Sequence, residues 1–242
     1  MNKNPIISSL GDRGILLKWQ FKFSPETLRF LLLAKAKLYQ ELPAGIEITN
    51  TYTELLVRYP YGKSTILQDI KALNELNFED LQAIEFEQRV VQIPVCYDLS
   101  FGLDIQLLAE KKKITSNELI DLHTAPLYTV YFIGFLPGFP YLGGLDERLA
   151  FPRKKNPRER VLKGAVGIAE NQTGIYPQAS PAGWQIIGNC PLDLFNPMES
   201  EPCLLKAGDL IKFYEIGKAA HERISKAIEQ GNYQLQITSK NG

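Results

Sequence analysis

The sequence predicts two domains of different class: an α+β domain of ferredoxin-like kind over residues 1–88, then a mostly-β barrel domain over residues 89–242. Three observations lead there. Strand-like runs interleave with two amphipathic helix patterns between residues 6 and 77, which is the pattern of a small α+β sandwich. A charged stretch ends near Phe86 and gives way to the apolar run Val90–Val95, a strand that marks the boundary. The 55 residues from Gly134 to Gly188 hold nine of the 18 glycines and six of the 15 prolines, yet stay rich in Tyr, Phe and Trp. Glycine serves where the backbone needs positive φ or close approach, and proline where φ is fixed. That stretch reads as short strands joined by shaped loops, the composition of a site carried on a β-barrel scaffold.

Taken in order, residues 6–21 alternate around Gly11-Asp12-Arg13-Gly14 and read as strand, turn and strand. Ser24-Pro25 opens a helix, with Ser24 as N-cap and Pro25 at the first helical position. Leu28, Leu31, Leu32 and Leu38 keep its spacing, and Pro43 with Gly45 ends it. Ile46–Tyr52 and Glu54–Tyr59 carry the β-branched and aromatic residues of strands. Ser64–Asn77 is a second helix, with Ile66, Ile70, Leu73 and Leu76 on one stripe. Gly62-Lys63-Ser64-Thr65 holds the tail of a phosphate-binding loop, but the glycine required five positions earlier is Val57, so a turn into a helix is the reading.

In the second domain, Val90–Tyr97 reads as a strand and Asp104–Lys112 as a short helix. Thr115-Ser116-Asn117-Glu118 is a capping box opening a helix to His123, and Leu127–Phe135 follows as a buried strand. Thr124–Leu145 runs 22 residues without a charge, long enough to span a bilayer. Gly134, Pro137, Gly138, Pro140, Gly143 and Gly144 interrupt it, and lipid offers no partner for the freed backbone groups. Gly208–Glu215 reads as a strand and Lys218–Gln230 as a closing amphipathic helix.

Composition narrows the function classes. The 242 residues are 45% apolar and 22% charged, the profile of a soluble globular protein. With 27 basic and 27 acidic residues the net charge is zero, which argues against nucleic-acid and membrane partners. Three cysteines without CxxC spacing and only two histidines speak against a zinc site, and an odd cysteine count without a signal peptide points to the cytoplasm.

Between Tyr128 and Cys190 the charge is locally positive, with seven basic residues against four acidic. Arg153 and Arg158 each follow a proline, which limits their backbone freedom and aims their guanidinium groups. Such a segment is either a solvated basic loop or an anion site. Phe135, Phe139, Tyr141, Tyr176 and Trp184 sit among glycines and prolines, as core rings or as pocket walls, and Gln172, Thr173, Ser180 and Gln185 are fitted to supply fixed hydrogen bonds within such a pocket. Ser180 lacks a G-x-S-x-G elbow. His123, just before the buried strand, is either a structural donor or a general acid–base, and His221 lies among charges and reads as solvent-facing.

The motifs Tyr131–Leu142 (YFIGFLPGFPYL), Pro152-Arg153, Pro157-Arg158, Gly164–Ala169, Gln172–Pro177 and Ser180–Gly188 closely resemble the carboxyltransferase-type family that includes the B subunit of 5-oxoprolinase, the first subunit of allophanate hydrolase and the sporulation histidine-kinase inhibitor. Weaker matches at Gly11-Asp12, Tyr52–Val57 and Gly208-Asp209 extend the resemblance over nearly the whole chain, and His123 matches a histidine ahead of the main block. The resemblance implies a ferredoxin-like N-terminal domain, a cyclophilin-like barrel, a partner of related fold (the C subunit) and a third partner (the A subunit). It implies an ATP-dependent hydrolase, with Mg2+, that opens 5-oxo-L-proline to L-glutamate. It implies that His123, Arg153 and Arg158 serve catalysis and that the aromatic and polar residues named above bind a small carboxylate substrate; Lys163, itself a departure from the family pattern, is expected to join them as a replacement positive charge. The alternatives are the carboxyltransferase part of a urea or allophanate system, and inhibition of a sensor histidine kinase. Departures from the family pattern are Leu162, Lys163, Ala182 and Asn189-Cys190, where proline, a small residue, glycine and Arg-Thr are usual.

Overall fold

Gly11 takes φ +65° in the turn that folds Ile6–Leu10 (β1) back on Gly14–Lys18 (β2), so the first hairpin forms where the GDRG turn predicts it. A computed structural model describes residues 3–60, 66–79, 81 and 88–240. The chain divides into two compact units, Met1–Phe86 and Glu87–Gly242, and its architecture is mixed α/β with large sheets.

In the first unit, Ser24 Oγ accepts the amide of Thr27 at 3.2 Å, and Pro25–Glu41 (α1) runs from that cap. Glu47–Asn50 (β3), Glu54–Arg58 (β4) and Ile66–Glu75 (α2) complete it. The sheet order is β1-β2-β4-β3 with every pair antiparallel, so β2 and β3 run parallel with β4 between them. The stripe Leu28, Leu31, Ala34 and Leu38 of α1 is buried, and a core of Ile15, Leu17, Trp19, Leu31, Leu38, Leu55 and Val57 holds this unit. The Gly62–Thr65 turn and the boundary near Phe86 lie outside the described residues.

In the second unit, Gln88–Val95 (β5) leads to Ile105–Lys112 (α3) and Ser116–Thr124 (α4). Thr115 and Glu118 form the expected capping box on α4. Then come Tyr128–Ile133 (β6), Pro140–Gly143 (β7), Arg158–Val161 (β8), Ala165–Ala169 (β9), Gln172–Ile175 (β10), Ser180–Ala182 (β11) and Gln185–Asn189 (β12). Leu210–Glu215 (β13), Lys218–Glu229 (α5) and Ile237–Lys240 (β14) finish the unit. One eight-stranded sheet runs β12-β9-β10-β7-β6-β13-β5-β14, and β8 pairs with β11 in a separate ribbon. Just past β5, Cys96 and Asn189 exchange amide-to-carbonyl bonds of 2.8 and 2.9 Å, so the β5 and β12 ends meet and the sheet closes on itself. Val91, Ile93, Val130, Val166, Ile168, Ile211 and Phe213 fill its interior.

Two details differ from expectation. The strand expected over Leu127–Phe135 ends at Ile133, because Gly134 and the following turn redirect the chain. β14 carries a single apolar residue, Ile237, too short a pattern to announce an edge strand.

Candidate functional site

The loop between β6 and β7 builds the site. Gly134 N–H donates to Phe139 O at 3.1 Å, Leu136 N–H to Gly134 O at 2.8 Å and Phe139 N–H to Leu136 O at 3.0 Å. This tight turn holds Phe135 at φ +65°, a left-handed conformation that costs a non-glycine residue about 1–3 kcal/mol. It throws the Phe135 ring outward, 63% exposed, while Phe139 turns inward at 1%. Gly138, at φ +83°, closes the turn where a Cβ would fall 2.7 Å from Phe195 Cβ.

Two glycines paired across β9 and β10 make room for the rings. A Cβ on Gly174 would lie 2.9 Å from the Phe139 ring, and one on Gly167 would lie 3.1 Å from Trp184 Cβ. Above them, Phe139 meets Tyr141, Tyr176, Trp184 and Phe135 at centroid distances of 5.0, 5.1, 5.5 and 5.6 Å, all edge to face. These rings, with Leu136, Pro157, Ser180–Gly183 and Arg153, enclose a cavity of about 360 Å³. That is the lower end of the range for small-ligand sites. A second cavity of about 310 Å³, beside Cys96 and the start of α5, lacks such walls, and its Lys218 pairs with Asp98 at 3.4 Å.

Arg153 is the one charged residue on the aromatic cavity wall among the described residues. Its guanidinium carbon lies 5.8 Å from the Trp184 ring centroid. Burial pushes the Tyr176 phenol up to about 12 and raises Tyr141, while the Arg153 charge pulls both the other way. Both phenols therefore stay protonated as donors at neutral pH.

Apart from Ser180, the structure places the other expected polar and charged site residues off the cavity wall. Arg158 grips Asp104, Nη1 to Oδ2 at 2.8 Å and Nη2 to Oδ1 at 2.6 Å, so its fork is engaged away from the cavity. Lys154 Nζ also reaches Asp104 Oδ1 at 3.2 Å, and the amide of Ile186 donates to Oδ2 at 2.7 Å. Burial pushes the Asp104 carboxyl up, but the bonds from Arg158, Ile186 and Lys154 outweigh it and hold the group below its ordinary value. Lys163 pairs with Asp193 at the surface. Gln172 is half-buried on β10, off the cavity wall. Gln185 Nε2 donates to Pro152 O at 3.0 Å, and Ser180 Oγ, on the wall, donates to the adjacent Pro181 O at 3.2 Å.

His123 is fully buried. Thr173 Oγ1 donates to Gly167 O at 3.0 Å, so it accepts from His123 Nε2–H at 3.0 Å, which leaves Nδ1 to accept the Tyr97 hydroxyl at 2.7 Å. The ring stacks on Phe213 with centroids 4.7 Å apart. Burial pushes its pKa down to about 3. This is a neutral imidazole locked inside the closed sheet, off the cavity wall. His221 is half-buried rather than solvent-facing, with Nε2 2.7 Å from Asn189 Oδ1 and its ring against Phe101 at 4.6 Å. Asp104 carried no signal in the sequence because it looked like a helix start, and nothing there ties position 104 to position 158.

Residues 5–205 match the family model for the carboxyltransferase domain, subdomain C and D. The chain is 39% identical over 223 residues to the B subunit of 5-oxoprolinase from Bacillus subtilis (strain 168), covering 88% of this chain and 93% of that protein. It is 39% identical over 173 residues to the B subunit of 5-oxoprolinase from Escherichia coli O157:H7, covering 72% and 79%. The crystal structure of TTHA0988 superimposes with a TM-score of 0.70 at 36% identity over 84% of this chain; the chain spans 40% of that structure's length. Urea amidolyase of K. lactis superimposes with a TM-score of 0.79 over 99% of this chain and 16% of its own, and at 18% identity it shares the fold alone. No helix among the described residues is long and apolar enough to cross a membrane.

Proposed function

Because the chain belongs to the carboxyltransferase domain family, subdomains C and D, we propose that it serves as the B subunit of an ATP-dependent 5-oxoprolinase that opens 5-oxo-L-proline to L-glutamate. One observation carries the reading: a small cavity walled by five aromatic rings has a single guanidinium at its rim. A flat lactam ring bearing one carboxylate matches that pairing. The rings cover the faces of the lactam, Arg153 takes the carboxylate through its planar fork, and the Tyr141 and Tyr176 hydroxyls are donors for the lactam oxygen. The walls also keep water from the ring until the amide is activated.

The cavity is a poor fit for a Mg2+-nucleotide, since its wall holds one cation and no carboxylate. ATP, which when bound supplies the activation of a resonance-stabilised amide, is therefore assigned to a site outside this cavity. The complex comprises a partner of related fold (the C subunit) and a third partner (the A subunit), in the cytoplasm. We take the first domain, residues 1–88, as ferredoxin-like, supported by the parallel β2 and β3 split by β4, and residues 89–242 as a cyclophilin-like barrel, supported by the closing Cys96–Asn189 bridge. The second reading, the carboxyltransferase half of a urea system, draws on 30% identity over 261 residues to the urea amidolyase of Saccharomyces cerevisiae, of which the match covers 14%.

The test is co-expression with the two partners and measurement of ATP-dependent glutamate release from 5-oxoproline. Activity is expected to require this chain, and Arg153→Ala to lower kcat/KM by at least about tenfold, the worth of a charge-assisted bond. An assembled complex silent on 5-oxoproline would refute the function. Full activity in Arg153→Ala would refute the site.

A further inference from the structure

The loop that carries Arg153 is tied down on both sides of it. On one side, Gln185 Nε2 holds the carbonyl of Pro152 at 3.0 Å. On the other, the amide of Lys154 donates to Gly183 O at 2.7 Å. Gly183 and Gln185 flank Trp184, the ring over which the guanidinium of Arg153 sits. The loop's outer cations are gathered elsewhere. Asp104, 3% exposed, takes Arg158 with both oxygens, Lys154 with one, and the amide of Ile186 in β12 with the other. Both oxygens of that carboxylate are engaged, and three of the four bonds come from two charged groups, Lys154 and Arg158. Lys154 reaches Asp104 while Arg153, the residue before it, faces Trp184.

We propose that Asp104 is a positioning residue: by clamping Lys154 and Arg158 onto β12 it fixes the loop so that Arg153 alone faces the cavity as the carboxylate receptor. This rests on the function inferred above. Asp104 itself lies off the cavity wall and acts only through Arg153. Asparagine at this position keeps the shape and loses the charge that draws both cations. Once released, Lys154 and Arg158 turn to solvent, and the Arg153 loop keeps only its bonds to Gln185 and Gly183.

The experiment is a double-mutant cycle in the assembled complex. Asp104→Asn is expected to raise KM for 5-oxoproline about tenfold or more, with kcat within about threefold, as loss of ground-state binding does. In the Arg153→Ala background the same change is expected to add nothing. An unchanged KM, or an equal rise in both backgrounds, overturns the proposal. If Asp104→Asn fails to assemble, Arg158→Lys, which keeps charge but loses the bidentate fork, takes its place with the same expected non-additivity. A readout free of catalysis separates this proposal from the function it rests on. In the full chain labelled with 5-fluorotryptophan, the Trp184 resonance is expected to shift with Asp104→Asn and not to shift further when Arg153→Ala is already present. The Trp19 resonance, in the first unit, stays in place. A wild-type complex inactive on 5-oxoproline sinks the function, whereas a Trp184 resonance indifferent to Asp104→Asn sinks the positioning role.

Discussion

His123 makes the second unit sensitive to acid by an amount that follows from its surroundings. The imidazole is held neutral between Tyr97 and Thr173, and burial lowers its pKa from 6.5 to about 3. The unfolded chain takes up a proton on this ring below pH 6.5, while the folded chain refuses it until about pH 3. Across that window the unfolded state binds more protons, so stability falls as pH falls and levels off below it. At pH 5 the loss relative to pH 8 is about 2 kcal/mol, and over the full window it approaches about 5 kcal/mol. The assay is urea denaturation followed by Trp184 fluorescence in a Trp19→Phe chain, from pH 8 to pH 4, with and without His123→Gln. Glutamine lowers stability throughout but carries no titration, so the curves should converge as pH falls. His221, also shifted down by its burial, contributes equally to both proteins and cancels, as do the depressed carboxylates. Parallel curves would refute the locked neutral imidazole.

Further outcomes follow from single contacts. Phe135→Gly removes the left-handed strain and should raise stability by about 1 kcal/mol in a thermal melt, yet lower activity of the complex by removing a cavity wall. A lower melting point would contradict the strain argument. Gly164→Ala, at φ +80° with its Cβ 2.0 Å from Cys190 O, should cost more than about 3 kcal/mol and depress soluble yield. Lys163→Ala breaks only an exposed pair with Asp193 and should change stability by less than about 0.5 kcal/mol, with KM unmoved; a raised KM would return Lys163 to the site. Thr115→Ala removes the α4 capping box and should cost about 1 kcal/mol, read by chemical denaturation.

What the sequence disclosed was chemistry local to a few residues. The Ser24 cap, the Thr115–Glu118 box and the Gly11 turn each sit where short-range bonding demands them. The rings of Phe135, Phe139, Tyr141, Tyr176 and Trp184 were legible as a group because the glycines that seat them are conspicuous, and all five line one cavity. Long-range pairing was not legible. Arg158 looked free for an anion, but its partner lies 54 residues away, where Asp104 read only as the start of a short helix. Phe135 extended an apolar run and so read as strand, whereas its fate was set by the turn at Gly134–Phe139. His123 left structural and catalytic roles open, and its burial among Tyr97, Thr173 and Phe213 depends on contacts that no local pattern announces.

The pairing of β5 with β13 and β14 joins residues 88–95 to residues 210–215 and 237–240. During synthesis the opening strand of this unit must therefore wait, partnerless on both edges, until more than a hundred further residues have emerged. Meanwhile the β1–β4 layer, whose partners all lie within the first 58 positions, is free to assemble. Ribosome-bound intermediates should accordingly pair a protease-resistant leading segment with an exposed apolar strand, the natural client of a chaperone.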